Sequence, residues 1–201
     1  DNIFYEVISE ADRTARITSV NNKSKLPANL VIDKVKYARP VEGAEEEEFT
    51  VTEISAKAFS QAENIETLKV GNSVTTIGES TFYCCTSLAK VELGSGLTAL
   101  ANSLFSGCEA LKEVDIANGP ESIGKWTFAD CPFTSINLPN SVRTIGDNAF
   151  YGCTSLESLT IGESLESIGA WTFDDCSSLA KIQVSSTNPH LCALDNVLYT
   201  K

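Results

Sequence analysis

The residues of this chain with chemically useful side chains are mainly seven cysteines, one histidine and an excess of acidic groups. Five of the cysteines recur at steps of 23, 23, 22 and 23 residues: Cys85, Cys108, Cys131, Cys153 and Cys176. Side chains at one position of a repeat run parallel, which places their sulfur atoms poorly for the dihedral angle of a disulfide. We therefore expect a buried, inert packing column in place of disulfides or a metal site. Cys84 is expected on an exposed turn, as a free thiol or one that forms an intermolecular bond, and the state of Cys192 is not predicted.

The remaining polar groups do not form a recognisable catalytic pattern. The single histidine, His190, follows Pro189 in a turn-like segment, where we interpret it as a surface residue. Paired-carboxylate catalysis needs two acids on opposite sides of a cleft, whereas Asp130, Asp174 and Asp175 fall on turns of a repeat. Glycine-rich phosphate loops are also missing from the sequence. We therefore predict no catalytic residues, no bound cofactor and no metal, and hence a protein that is not an enzyme.

The formal net charge of −12 limits the classes of partner. Nucleic acid and anionic lipid both require a cationic face, so neither is expected to bind. Much of the excess comes from the run Glu45–Glu48, which we interpret as a solvated loop because like charges repel and stay hydrated. A calcium site is the alternative, although such sites usually space their oxygen ligands. No apolar run approaches the 18 or more residues of a membrane helix, so direct membrane insertion is not expected.

A phrase of about 23 residues, repeated six times, must position these side chains. Its phenylalanines define copies 1 to 6, in the order Phe59, Phe82, Phe105, Phe128, Phe150 and Phe173. Five positions before each phenylalanine stands an aliphatic residue, which glycine follows in most copies. Self-similarity at a fixed period of this length predicts a solenoid, in which each copy packs on its neighbours.

Each copy also carries a short strand pattern. In copy 5, Leu159 and Ile161 are separated by one polar residue, as in a half-buried strand. The equivalent pairs are Leu68/Val70, Val91/Leu93, Val114/Ile116, Ile136/Leu138 and Ile182/Val184. Stacking the copies at about 4.8 Å predicts a parallel ladder over one continuous core. Copy 4 is one residue short, and its Phe133 takes the place that Leu156 holds in copy 5.

From about Thr50 to Val184 these phrases resemble the leucine-rich repeats of the BspA type, found in surface proteins of Bacteroides-like bacteria. The resemblance rests on the period, the Ile-Gly pair, the phenylalanine, the cysteine and the paired strand aliphatics, which recur together. It implies a leucine-rich repeat solenoid, mainly β with short helical or irregular turns. It also implies a bacterial protein that is secreted to the cell surface and acts in adhesion.

The sequence predicts three regions. Residues 1–50 read as a β-rich N-terminal cap, residues 51–184 as the repeat solenoid, and residues 185–201 as a terminal segment or the start of a hairpin. Solenoids need atypical end segments because their terminal copies would otherwise expose an apolar face. Val197–Tyr199 is expected either to open a hairpin that is cut short or to end the ladder as an edge. The chain starts at Asp1 and lacks methionine, so we expect a mature or trimmed fragment whose targeting segment is missing.

Binding is expected on the surface of the solenoid. The outward residues between the strand aliphatics are Lys69, Glu92, Asp115, Asn137, Thr160 and Gln183. Trp126 and Trp171 hold equivalent positions two copies apart, where they could carry a sugar chain or anchor a protein. The leading hypothesis is a noncatalytic module that contacts a surface or matrix protein of a host or a neighbouring cell. The alternatives are glycan capture through the two tryptophans and a structural spacer without a ligand.

Overall fold

The repeated phrase folds into a β-solenoid, and the predicted fold class is confirmed. The computed structural model describes residues 3–37, 45–195 and 197–201. The amino-terminal strands are β1 (Ile3–Ser9), β2 (Thr14–Val20), β3 (Asn29–Ile32), β4 (Lys34–Tyr37) and β5 (Glu47–Ile54), with a 3₁₀ turn at Lys23–Lys25. The long strands of the copies are β6 (Thr67–Val70), β8 (Lys90–Leu93), β10 (Glu113–Ile116), β12 (Ser135–Asn137), β14 (Ser158–Ile161) and β16 (Lys181–Val184). The short strands are β7 (Thr76–Ile77), β9 (Ala99–Leu100), β11 (Ser122–Ile123), β13 (Thr144–Ile145) and β15 (Ser167–Ile168), and β17 (Leu191–Leu194) and β18 (Val197–Thr200) end the chain.

The phenylalanines form a continuous column through the six turns. The ring centroids of successive copies lie 5.3, 5.6, 5.7, 5.5 and 5.6 Å apart, and neighbouring rings are nearly parallel. The rings of copies 1 to 5 are fully buried. This column and the strand aliphatics form one core that extends through all six copies, as predicted.

The cysteine column lies beside the phenylalanines and has a polar role that the sequence analysis missed. Each thiol donates a hydrogen bond to the carbonyl of the phenylalanine in the preceding copy, as between Cys131 Sγ and Phe105 O at 3.2 Å. The same contact recurs in every copy from the second to the sixth. Burial raises the pKa of the Cys85 thiol to about 11 and raises the pKa of Cys108 and Cys131 as well. All seven cysteines are within the described residues and are free.

The amino-terminal segment supplies a strand to each side of the solenoid. β1, β2, β5 and β4 form a sheet in that order, and β2 runs parallel to β5. β3 pairs in parallel with β6, so it occupies the place of an earlier copy in the ladder of long strands. The segment therefore pairs the backbone edges that the first copy would otherwise expose.

An antiparallel hairpin of β17 and β18 follows the last copy. Val197–Thr200 is thus the second strand of this hairpin, whereas the sequence analysis expected Val197–Tyr199 either to open a hairpin that is cut short or to end the ladder as an edge. Asn188 fixes the approach to the hairpin, since its buried side chain makes four hydrogen bonds to the backbone. Its amide nitrogen donates to the carbonyls of Gly162 and Leu165, and its oxygen accepts from the N–H groups of His190 and Leu191.

The parallel strand pairing forms as predicted, and each of the two ladders is interrupted between two copies. The long strands form one sheet of order β10-β8-β6-β3 and a second of order β12-β14-β16, so the ladder is interrupted between copies 3 and 4. The short strands β9, β11, β13 and β15 form a sheet that does not include β7. This second interruption falls where Ala101 replaces the glycine that follows the short strand in later copies.

The glycine at that position lets the backbones of adjacent copies approach. A Cβ atom on Gly146 would lie 2.7 Å from the backbone nitrogen of Lys125, which is too close for a real contact. We expect Gly146→Ala to destabilise the protein by about 1–3 kcal/mol, because the added methyl group must push two copies apart. Ala101→Gly is the matched control and should change the stability by no more than about 1 kcal/mol. Chemical denaturation measures both, and a Gly146→Ala protein as stable as the wild type would contradict this account.

Candidate functional site

The strand face is the surface formed by the outward side chains of the long strands. The six residues predicted for it all lie there, exposed or half-exposed: Lys69, Glu92, Asp115, Asn137, Thr160 and Gln183. Strand pairing places Lys69 beside Glu92 and Glu92 beside Asp115. It places Asn137, Thr160 and Gln183 side by side in the second sheet. The predicted strip is therefore two groups of three residues, one charged and one neutral, with the interruption of the ladder between them.

Ion pairs cross the charged half of the strand face. Lys69 Nζ lies 3.3 Å from Glu92 Oε2, and Lys90 Nζ lies 3.5 Å from Glu92 Oε1 and 3.3 Å from Glu113 Oε2. The hydrogen bond and charge of Lys69 lower the pKa of Glu92, and Lys90 acts in the same direction. Exposed pairs of this kind add little stability. They keep Glu92 ionised, so it suits charge recognition better than proton donation.

A shallow groove with a volume of about 520 Å³ opens at the interruption of the ladder. Three residues of the predicted strip line it, namely Glu92, Asp115 and Asn137. Val114 also lines the groove and is only partly buried, whereas the equivalent Val91 is fully buried. The groove therefore exposes part of the strand backbone and one core side chain at the centre of the strand face.

A second surface, here called the turn ridge, consists of Trp126, Asp130, Tyr151, Trp171 and Asp175. Trp171 is 70 % exposed and Trp126 is 41 % exposed, as expected from their repeat position. Their backbone φ angles are +52° and +58°, in the left-handed region that bulky residues rarely adopt. Lys57, Ser80, Ser103 and Asn148 have positive φ at the same position in the other copies. The fold thus imposes this conformation, and two copies place tryptophan there despite a cost of about 1–3 kcal/mol.

Tyr151 was missed by the sequence analysis and lies between the two tryptophan copies. Its ring centroid is 5.4 Å from that of Trp126, with the ring planes tilted by 57°. A hydrogen bond with Asp175 raises the pKa of Tyr151, and the charges of Asp174 and Asp130 act in the same direction. The ridge therefore combines aromatic faces with carboxylates, which suits either stacking on sugar rings or contact with cations.

The run Glu45–Glu48 and the thiol of Cys84 both differ from their predictions. Glu47 and Glu48 belong to β5, so only part of the Glu45–Glu48 run lies outside a strand. Glu48 pairs with Lys34 at 2.6 Å, and this contact lowers the pKa of Glu48. Cys84 is half-buried, whereas the sequence predicted an exposed thiol.

Over residues 3–37, 45–195 and 197–201, no three or more histidine, cysteine or acidic side chains are grouped as metal ligands would be. Over the same ranges, no helix has the length and apolar character needed to span a bilayer.

A solenoid of six turns, with parallel ladders and a phenylalanine in every turn, is the architecture of a leucine-rich repeat protein. The BspA type leucine rich repeat region, in six copies, matches residues 46–137 and 121–192. Because these residues are more than half of the chain, the chain belongs to the BspA-type leucine-rich repeat family. The resemblance inferred from the sequence is confirmed.

Solved bacterial structures share the fold. A leucine-rich repeat protein of T. pallidum is 25 % identical, with a TM-score of 0.75 over 90 % of this chain and 78 % of that protein. A leucine-rich repeat protein of Bacteroides ovatus is 24 % identical with a TM-score of 0.69, and a leucine rich cell surface protein of Faecalibacterium prausnitzii is 22 % identical with a TM-score of 0.68. These two matches cover 93 % and 99 % of this chain but 53 % and 58 % of the other proteins. No curated protein matches the chain.

Proposed function

We propose that the chain is a noncatalytic recognition module of a bacterial surface protein, and that it binds a protein partner through the strand face. The observation that carries this proposal is the groove at the centre of that face, which three of the six predicted residues line. Repeat solenoids present extended surfaces of this kind to their partners. Family membership and the cell-surface relative of Faecalibacterium prausnitzii support an extracellular setting.

The electrostatics of the strand face support binding over catalysis. Glu92 has a lowered pKa and lies within ion-pair distance of two lysines. A general acid at neutral pH needs the opposite, a carboxyl group whose pKa is raised. Paired charges at an interface contribute mainly to specificity and to the rate of association.

The proposal is tested by screening the purified chain against immobilised extracellular-matrix proteins at low and physiological salt. We expect a saturable protein interaction that persists at physiological salt. Asp115→Arg should weaken it by about tenfold, since the change reverses a charge at the groove. Trp171→Asn, on the turn ridge, should leave it unchanged. Binding that is lost with Trp171→Asn but unaffected by Asp115→Arg would contradict the assignment to the strand face.

Glycan capture on the turn ridge is the second candidate, supported by two exposed tryptophans held in a disfavoured backbone conformation. A panel of polysaccharides tests it. Trp171→Asn is the sharpest variant, because Asn148 already adopts a φ of +55° at the same position in copy 5. The variant should therefore fold normally while losing the aromatic platform. Glycan binding that Trp171→Asn abolishes would support this function, and no binding to any protein or glycan would favour a structural spacer.

A further inference from the structure

The interruption of the long ladder leaves two strand edges facing one groove. β10 ends the first sheet and β12 begins the second, so each pairs with a long strand on one side alone. On the other side of the solenoid the same two copies stay joined, because β9 pairs with β11 and the rings of Phe105 and Phe128 stack at 5.7 Å. The opening is therefore confined to the strand face.

The missing residue of copy 4 accounts for the opening. Cys131 is followed directly by Pro132 and Phe133, whereas copy 5 has one more residue between its cysteine and the equivalent Leu156. Proline has no N–H group for a backbone hydrogen bond. Phe133 packs edge-on against the rings of its own copy and of copy 5, with centroid distances of 5.9 and 6.3 Å. The start of β12 is thus held toward copy 5.

The backbone groups of β10 that face the groove can be identified from the hydrogen bonds that β10 makes on its opposite side, to copy 2. The N–H groups of Glu113 and Ala117 both donate to carbonyls of copy 2, the latter to Leu93 O at 3.3 Å. In a parallel ladder, alternate residues direct their N–H and C=O groups to opposite neighbours. Val114 and Ile116 therefore present their backbone groups toward the groove.

The same reasoning applies to β12. Leu138 N donates to Thr160 O at 2.9 Å, and Thr134 O accepts from the N–H groups of copy 5. The intervening residues, Ser135 and Asn137, therefore direct their backbone groups toward β10. Donors and acceptors thus line both walls of the groove, whose volume of about 520 Å³ is within the range of ligand sites.

We propose that the groove binds an extended segment of a partner polypeptide as an additional strand, in which two aliphatic residues flank a lysine or arginine. The inward side chains of such a strand would pack beside the partly buried Val114 and extend the row of aliphatic residues that the long strands direct into the core. The outward residue would lie next to the exposed Asp115, since Glu113 is already paired with Lys90, and opposite charges on adjacent strands stabilise a sheet. The inference rests on the proposed function and specifies the chemistry of the partner.

This chain already contains the same pattern in an established position. In β6, Leu68 and Val70 face the core on either side of Lys69, whose ammonium group lies 3.3 Å from Glu92 on the next strand. An inserted basic strand would repeat this arrangement on the free edge of β10. The net charge of −12 also favours the approach of a basic segment.

The test uses the complete chain and an acetylated, amidated peptide with the sequence of residues 67–71, Thr-Leu-Lys-Val-Gly. Titration is followed by amide NMR and by hydrogen exchange. We expect shift changes and slower exchange at the groove edges, in Val114, Ile116, Ser135 and Asn137. A peptide with glutamate in place of lysine should bind about tenfold more weakly. Shift changes confined to other strand edges, or none at all, would overturn the inference.

Three variants test this inference at the groove. Asp115→Lys should weaken peptide binding by about tenfold, while Asp174→Lys, the same charge change on a turn, should not. Inserting one threonine after Cys131 restores the full length of the repeat in copy 4. The insertion should close the groove and thereby abolish peptide binding. If a protein partner still requires the strand face while the peptide never binds, the inference fails and the proposed function stands. If the peptide binds as expected but no protein partner is found, the proposed function fails instead.

Discussion

Replacing Phe128 by alanine is expected to destabilise the protein by about 3–5 kcal/mol. The ring is fully buried, stacks on Phe105 and Phe150, and meets Phe133 edge-on at 5.9 Å. In a solenoid each copy contacts its neighbours alone, so the loss removes support from copies 3 and 5 together. The strand face is already open between copies 3 and 4, which makes this stack one of the main links between them.

Chemical denaturation of wild type and variant measures the effect. Phe4→Ala is the matched control, because the Phe4 side chain is 50 % exposed and should contribute little. We expect its free energy of unfolding to stay within about 1 kcal/mol of the wild type. Equal losses for the two variants would mean that the phenylalanine column does not have the central role assigned to it.

The second large effect is a loss of stability at alkaline pH. Burial raises the pKa of Cys85 from 9.0 to about 11 and raises the pKa of Cys108 and Cys131 in the same direction. Above pH 9 the unfolded chain releases these protons while the folded chain keeps them, so the free energy of unfolding falls as pH rises. At pH 10 the loss is about 1.4 kcal/mol for Cys85, and the raised pKa values of Cys108 and Cys131 add to it in the same direction.

A comparison of variants separates the stability lost through cysteine ionisation from the stability lost through titration of lysines and tyrosines. Cys131→Ser keeps a hydrogen-bond donor for Phe105 O but does not ionise in this range. Between pH 7 and pH 10, in the presence of a reductant, the variant should lose about 1.4 kcal/mol less stability than the wild type. Identical pH dependence in the two proteins would show that the buried thiols do not drive the alkaline loss.

The period alone predicted much of the fold, for a physical reason. Identical positions of stacked copies must lie in register, so the sequence placed Phe82 on Phe105 and predicted the cysteine column. Four of its members are buried as predicted, whereas Cys176, in the last copy, is half-buried. It also identified the outward strand residues, since alternation along a strand needs no tertiary information. The exposure of Trp126 and Trp171 followed from the polar residues at the same position in other copies.

The features that the sequence did not predict depend on contacts between copies that carry different residues at equivalent positions. The sequence showed that copy 4 lacks a residue, but the effect on β12 depends on Pro132 and on the packing of Phe133. Tyr151 reaches Trp126 because different repeat positions of neighbouring copies meet on the turn ridge. The place of β3 in the long ladder is set by a parallel partner distant in sequence, and four alternating residues do not identify that partner.

The cysteine column also determines how the chain depends on its redox surroundings. Its sulfur atoms hold the turns together as thiols, so the fold needs neither an oxidant nor a disulfide isomerase to mature. Thiolates are the form that reacts with oxidants, and burial suppresses the thiolate form of Cys85, Cys108 and Cys131 in the folded chain. The same native state should therefore form in reducing and in oxidising compartments. Oxidative damage to Cys85, Cys108 and Cys131 would then require that the chain first unfold. Cys176, by contrast, is half-buried, and its hydrogen bond with Cys153 lowers its pKa, which leaves it open to oxidation in the folded chain.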